Sequence, residues 1–392
     1  MSPVLPFDVL ALIIDIVGEN KDTDLLKRLA LVSHSFLQIC SKHLFATVIL
    51  RDDNPEFHVA SSKKGFVKLL RSRPEVVNYI RKLTYKVGFT YQLESKSEDD
   101  RILSNLLRTV SRLNYLKITG ISSYLDWKTL DSSLTSALLH LMHLPTISHI
   151  NLSYIKNFPL SSLTSSVNLH QLDINHLRLD SAEIIVPLEM MPQIREFLVS
   201  ESSQVTTKLL HAKTQDGRPA FNFMDLRRFK FTISSNEDLQ ITRYLLQNAR
   251  LLEKLHLILR RPGGSLVGHL SPGAHTLKVL DLTVFLYNSV SLLAGVCEEL
   301  KAMAGHNMLE ALSFEVYVYD HNTEDSIGPI IQKVENVLVK PGWSALRQVS
   351  FEVSIVGVGN AKLFEALQSL PDKYLSQLSK LESVAFSYSV RH

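Results

Sequence analysis

Cysteine is scarce: Cys40 and Cys297 are the only two in 392 residues. Two thiols cannot staple a secreted disulfide scaffold, so the expectation is a reducing, intracellular compartment, either cytoplasm or nucleus. Charge of one sign is also lacking. Lysine and arginine number 42 against 39 acidic residues, a net charge of +3. No strong overall field therefore draws the chain to nucleic acid or to an acidic membrane. Long apolar runs are missing as well. The longest stretch without Asp, Glu, Lys or Arg, residues 132–155, holds His140, His143, His149, Pro145, Asn151 and several serines. Each is costly in hydrocarbon, and no membrane span is expected. The opening Met1-Ser2-Pro3-Val4-Leu5-Pro6 has no basic residue, and Asp8 interrupts the apolar residues around it, so no signal peptide is expected.

Chemistry-bearing patterns are equally sparse. Gly357-Val358-Gly359-Asn360-Ala361-Lys362 stands where a strand meets a helix, but Lys362 fills the third glycine position of a dinucleotide fingerprint. Too little chain remains beyond it for the rest of such a domain, and the pattern reads as an ordinary strand-to-helix turn. His140 and His143 share a helical face with His149 nearby, yet no Cys, Asp or Glu completes a zinc set. There is no Gly-x-Ser-x-Gly elbow, and both cysteines lie in apolar helical runs where thiols are inert. The expectation is a non-enzymatic protein without metal or cofactor.

What the chain has is apolar residues, 45 % of the total against 21 % charged. That excludes disorder and permits a large core. The first fifty residues are the most apolar in pattern. Leu10, Ile13, Ile14 and Val17 recur at helical spacing; Gly18-Glu19-Asn20 ends that helix and Asp22 offers the next an N-cap. Leu25, Leu26, Leu29 and Val32 form a second apolar face, and Ser33 opens a third helix with Phe36, Leu37, Cys40 and Leu44. Three helices this short cannot bury all of that surface among themselves. Part of it should meet a partner.

Beyond residue 79 a frame of apolar-x-x-apolar-x-apolar recurs eleven times, from Ile80-Leu83-Tyr85 through Leu113-Leu116-Ile118 to Leu346-Val349-Phe351 and Leu381-Val384-Phe386. Starts are 22 to 37 residues apart, with helical patterns between them, as at 99–111, 132–144, 237–248, 289–304, 323–339 and 360–370. One frame is worthless as a signal; eleven in series predict strands alternating with helices in a stacked parallel array. The residues between and just after the last two apolar positions should share the exposed sheet face: Lys86, Lys117, Asn151, Asp173, Asn175, Lys230, His256, Asp281, Glu315 and Glu352. They drift from basic to acidic along the chain, which makes them candidates for substrate binding. A cluster of eight cations from Lys63 to Lys86 lacks interleaved stacking aromatics and reads as a solvated surface rather than a nucleic-acid site.

Leu5-Pro6-Phe7-Asp8-Val9-Leu10, Ile13-Ile14, Asp24-Leu25-Leu26 and Leu29-Ala30-Leu31-Val32-Ser33 with Phe36 resemble an F-box, over roughly residues 4–46. Phe36 stands where a tryptophan is frequent in that family. The segment Phe66-Val67-Lys68-Leu69-Leu70, Pro74 and Tyr79-Ile80-Arg81-Lys82-Leu83 is similar to the region after the F-box in fungal members. The later frames resemble irregular leucine-rich repeats, without the asparagine usual after the strand. The resemblance implies an α/β protein: F-box helices over 1–50, a linking helix over 51–78 and a leucine-rich-repeat-like solenoid with a curved parallel sheet over 79–392. It implies a substrate-recognition subunit of an SCF-type cullin-RING ubiquitin ligase. Leu5, Pro6, Val9, Leu10, Ile13, Leu26 and Val32 would bind a Skp-family adaptor and through it a cullin, while the repeats would hold a protein substrate. Neither nucleic acid nor membrane is an expected partner. The alternative is a repeat scaffold outside any ligase.

Overall fold

A computed structural model describes residues 6–51, 62–88, 98–121, 123–180, 191–260, 266, 268–286, 291–319, 324–357 and 361–391. The chain forms two compact units, Met1–Pro192 with His211–Phe221, and Gln193–Leu210 with Asn222–His392. Both are α/β, and every described pairing between their strands is parallel.

The first unit opens with three helices, α1 (Phe7–Glu19), α2 (Thr23–Ala30) and α3 (His34–Leu44). Asp22 caps α2 and Ser33 caps α3, each side chain accepting a backbone N–H from the first turn. Then come β1 (Thr47–Arg51), α4 (Lys63–Ser72), β2 (Lys82–Val87), α5 (Glu98–Leu107), β3 (Tyr115–Gly120) and the two-residue β4 (Leu125–Asp126). After these stand α6 (Ser132–Met142), β5 (His149–Phe158), the single turn α7 (Ser161–Thr164) and β6 (Gln171–Leu179). Strand order is β1-β2-β3-β5-β6, with β4 beside β5.

The second unit contains β7 (Glu196–Ser200), α8 (Ser203–His211), β8 (Arg228–Ile233), α9 (Asn236–Asn248), β9 (Lys254–Leu259), β10 (Val279–Leu286) and α10 (Ser291–Met303). It continues with β11 (Ala311–Tyr319), α11 (Glu324–Leu338), β12 (Gln348–Val356), α12 (Ala361–Gln368), α13 (Leu370–Tyr374) and β13 (Ala385–Arg391). Its strands lie in sequence order.

The eleven frames all meet strands, and ten stand in register within their own units, four in the first and six in the second. Leu255 pairs with Leu280 and Leu257 with Leu282, and the same two positions continue as Leu312 and Phe314, then Val349 and Phe351. These side chains are buried and their rings stack, Phe314 on Phe351 at 4.5 Å between centroids. The frame at Leu381 is displaced: Phe386 and Tyr388, not Val384 and Phe386, stand opposite Val349 and Phe351. One further strand, β1, precedes the expected series. Phe45, Val48 and Leu50 carry the same frame, with Val48 and Leu50 opposite Leu83 and Tyr85.

A backbone device sets that register. Strands β2, β3, β5, β6 and β8–β12 are each entered through two successive N–H groups that share one carbonyl of the preceding repeat. Glu253 and Lys254 donate to Arg227, Lys278 and Val279 to Glu253, and Glu310 and Ala311 to Lys278, at 2.8–3.0 Å. Buried glutamates join neighbouring repeats. Glu299 on α10 accepts the amides of His269 (3.2 Å) and Leu270 (2.9 Å), and Glu335 on α11 accepts those of Gln377 (2.7 Å) and Leu378 (3.0 Å). In the first unit a buried Lys63–Asp100 pair at 3.2 Å ties α4 to α5.

Candidate functional site

The helices α1–α3 enclose a small core of Ile14, Leu26 and Cys40, edged by Val17, Leu29, Phe36, Ile39 and Leu44. Asp15 of α1 clamps α3, meeting Lys42 at 2.6 Å and His43 at 2.7 Å. Both partners hold its carboxyl below the usual value. Gly18 sits at the crossing, where a Cβ would run into the His43 ring.

That core uses only part of the apolar surface. Among the described residues, eight of the sixteen exposed large apolar side chains fall within residues 7–32: Phe7, Val9, Leu12, Ile13, Ile16, Leu25, Leu31 and Val32. Leu31 is 88 % exposed and Val32 65 %. Val9, Leu12, Ile13 and Ile16 follow helical spacing, so α1 is apolar on two faces, one inward and one to solvent.

The seven residues expected to bind an adaptor separate here. Pro6 is exposed at the start of α1, Val9, Ile13 and Val32 are exposed, and Leu10 is half-buried. Leu26, at 1 % exposure, lies in the core of the three helices. Leu5 lies outside the described residues. Phe7, Leu12, Ile16, Leu25 and Leu31 are exposed without being among the expected contacts. The apolar pattern accounts for one face of α1, and Leu12 and Ile16 stand on the other; Leu25 belongs to the apolar face expected of α2 and is nonetheless exposed.

The expected exposed-face residues are half-buried and line up along the sheet. Lys117, Asn151 and Asp173 are successive register partners in the first unit, with Asn175 two positions on; Lys230, His256 and Asp281 are successive in the second, and Glu315 faces Glu352. The acidic residues of this face are each engaged by neighbouring side chains. Asp173 accepts from His149 (2.8 Å), Asn151 (3.1 Å) and Gln171 (3.1 Å); Lys254 pairs with Asp281 at 2.8 Å and Arg391 with Glu352 at 2.7 Å. Glu315 accepts from Tyr317 (2.7 Å) and Thr283 (2.9 Å). Because the Thr283 hydroxyl spends its proton on Glu315, His256 must donate to it from Nε2, across 3.0 Å. Burial, then Lys230, lowers the His256 pKa. In the first unit burial, then Arg51 and Lys117, lowers the Lys86 pKa.

One cluster has no sequence signal, because its members come from distant segments. Tyr154 stacks on His176 at 4.6 Å, Tyr124 meets both edge-on, and the Arg178 guanidinium lies 4.5 Å over Tyr124. Tyr154, Asn157 and His176 have φ of 54°, 57° and 48°, beside a register shift between β5 and β6. Left-handed backbone in bulky residues is strained.

No metal site forms among the described residues. His143 contacts the Ser162 carbonyl and His149 the Asp173 carboxylate, so the three neighbouring histidines do not converge. Both cysteines are buried, and burial pushes the Cys297 thiol up to about 11. Residues 358–360 of the glycine pattern lie outside the described residues. No described helix is long and apolar enough to cross a membrane.

No family model matches the chain, and no curated protein does. Among solved structures, a protein from Bacteroides fragilis is similar over 82 % of this chain and 68 % of its own, at 11 % identity and a TM-score of 0.28.

Proposed function

We propose that this chain is a substrate-recognition subunit of an SCF-type cullin-RING ubiquitin ligase, with α1–α3 as an F-box and the strand–helix repeats beyond them as a leucine-rich-repeat-like array. The single observation that carries this reading is the solvent-facing apolar surface of Phe7, Leu12, Ile13, Ile16, Leu31 and Val32, on the segment whose residue order resembles an F-box. Burying such side chains is worth about 1.5–3 kcal/mol each, enough for a few of them to anchor an adaptor. The helices present the surface; the Asp15 clamp and the Leu26 core hold its shape. The repeats would carry the substrate on the sheet face that includes Lys117, Asn151, Asp173 and Asn175 in one unit and Lys230, His256, Asp281, Glu315 and Glu352 in the other. The chain supplies no chemistry of its own in this role, and it works inside the cell.

The test is capture of a Skp-family adaptor and a cullin from cells by tagged chain. Ile13→Asp with Val32→Asp should abolish capture while leaving the melting temperature unchanged, since both side chains are already in water. Full capture by that variant, or none by the unaltered chain, refutes the assignment and leaves a repeat scaffold outside any ligase.

A further inference from the structure

The second unit has a groove at the edge of its sheet where β8, β9 and β10 begin. It measures about 270 Å³, and its lining includes Arg227, Arg250, Leu251, Glu253, Lys278 and Met308. The floor is apolar and wet: Leu251 is 44 % exposed and Met308 55 %. The residues are brought together by the repeat itself. Arg227, Glu253 and Lys278 each occupy the position immediately before a strand, so the repeat length places them side by side. Lys278 is neutralised by Glu253 at 3.1 Å. Arg227 and Arg250 have no carboxylate within ion-pair distance among the described residues, and both are exposed.

We propose that this groove docks a peptide segment of a partner protein that carries an apolar anchor flanked by carboxylates. The apolar floor would take the anchor, and the two free guanidiniums would take the carboxylates, each offering a planar pair of donors. Strand addition is not the mode of binding. The backbone amides along this edge are already donated to the Arg227 and Glu253 carbonyls, so recognition must be by side chains. Nucleic acid fits poorly: Glu253 stands in the middle of the groove, and two arginines make no phosphate track. The site is independent of the F-box assignment and stands at the strand starts, three positions before the sheet-face residues Lys230, His256 and Asp281.

The test is selection of a random peptide library on the full chain, with the affinity of the recovered peptides then measured by fluorescence anisotropy. Enrichment of Leu, Phe or Met beside two or more Asp or Glu is expected. Affinity should fall about tenfold or more both in Arg227→Glu with Arg250→Glu and in Met308→Asp. All three substituted side chains are exposed, so the variants should melt with the unaltered chain and still capture whatever adaptor it captures. Recovery of no peptide, of peptides without acidic enrichment, or of peptides that bind the variants equally well overturns the proposal.

Discussion

Asp15 shows how one side chain sets the geometry of a surface it does not itself form. It draws Lys42 and His43 of α3 onto α1, and they hold its carboxyl below the usual 3.8. A carboxylate with a depressed folded pKa adds stability that is fully present above its ordinary value and is lost as pH falls through the folded one. The stability gap between the unaltered chain and Asp15→Asn should therefore be constant at neutral pH and close below about pH 4. Urea unfolding measured across pH checks it; a gap independent of pH would remove the clamp from the account. His256 behaves in the same direction for a different reason, since burial disfavours its cation. Its contribution should be present above 6.5 and decline as pH falls through its lower folded value, and His256→Gln should abolish that decline. Leu26 and Ile13 make the sharpest contrast. Leu26→Ala should destabilise by roughly 2–5 kcal/mol through the cavity it leaves, whereas Ile13→Ala should cost stability little, because one is core and the other faces water.

Among elements, the repeat is legible because its frame puts three apolar residues where one turn and two inward strand positions need them. Strands β2, β3 and β5–β12 can be read from that frame alone. β1 carries it too, as Phe45-x-x-Val48-x-Leu50, but directly after the helical residues of α3, where the pattern runs on without a turn signal. β13 departs from its frame because Ser383 stands in the first apolar place, and its inward residues Phe386 and Tyr388 are half exposed. Helices α5, α6 and α9–α12 match the expected spans within a few residues; α8 has no legible stripe, its polar Ser, Gln, Thr and Lys residues outweighing Val205 and Leu209. The buried carboxylates carry no sequence signal at all. Glu298 and Glu299 are adjacent and alike in sequence, yet Glu298 pairs with Lys301 in solvent while Glu299 is wholly buried. Replacing Glu299 with alanine strands two buried amides and should cost roughly 2–5 kcal/mol, with Glu299→Gln costing less because one acceptor remains. Thermal or urea unfolding of both variants measures this, and equal losses would mean that charge, not acceptance, is what the α10 glutamate provides.

For the whole molecule, what matters is where apolar surface is left over. Half of the exposed large apolar side chains among the described residues occupy 26 positions at 7–32, while the repeats bury theirs in register. The sequence makes plain that the first helices have more apolar surface than they can use, because Leu, Ile and Val appear on both faces of α1. It does not tell which face is spent on the core, since that depends on how α2 and α3 close around Ile14. The sheet face is legible in the frame but its charge is not, because ion pairs such as Lys254–Asp281 join residues 27 apart in the chain, and linear charge counts cannot see them. We propose that a Skp-family adaptor covers the leftover surface. Titration calorimetry of the purified chain with the purified adaptor should then show one-to-one binding in the sub-micromolar range with a negative heat-capacity change, as burial of apolar surface requires. No binding at the highest soluble concentrations, or binding with no heat-capacity change, overturns that assignment.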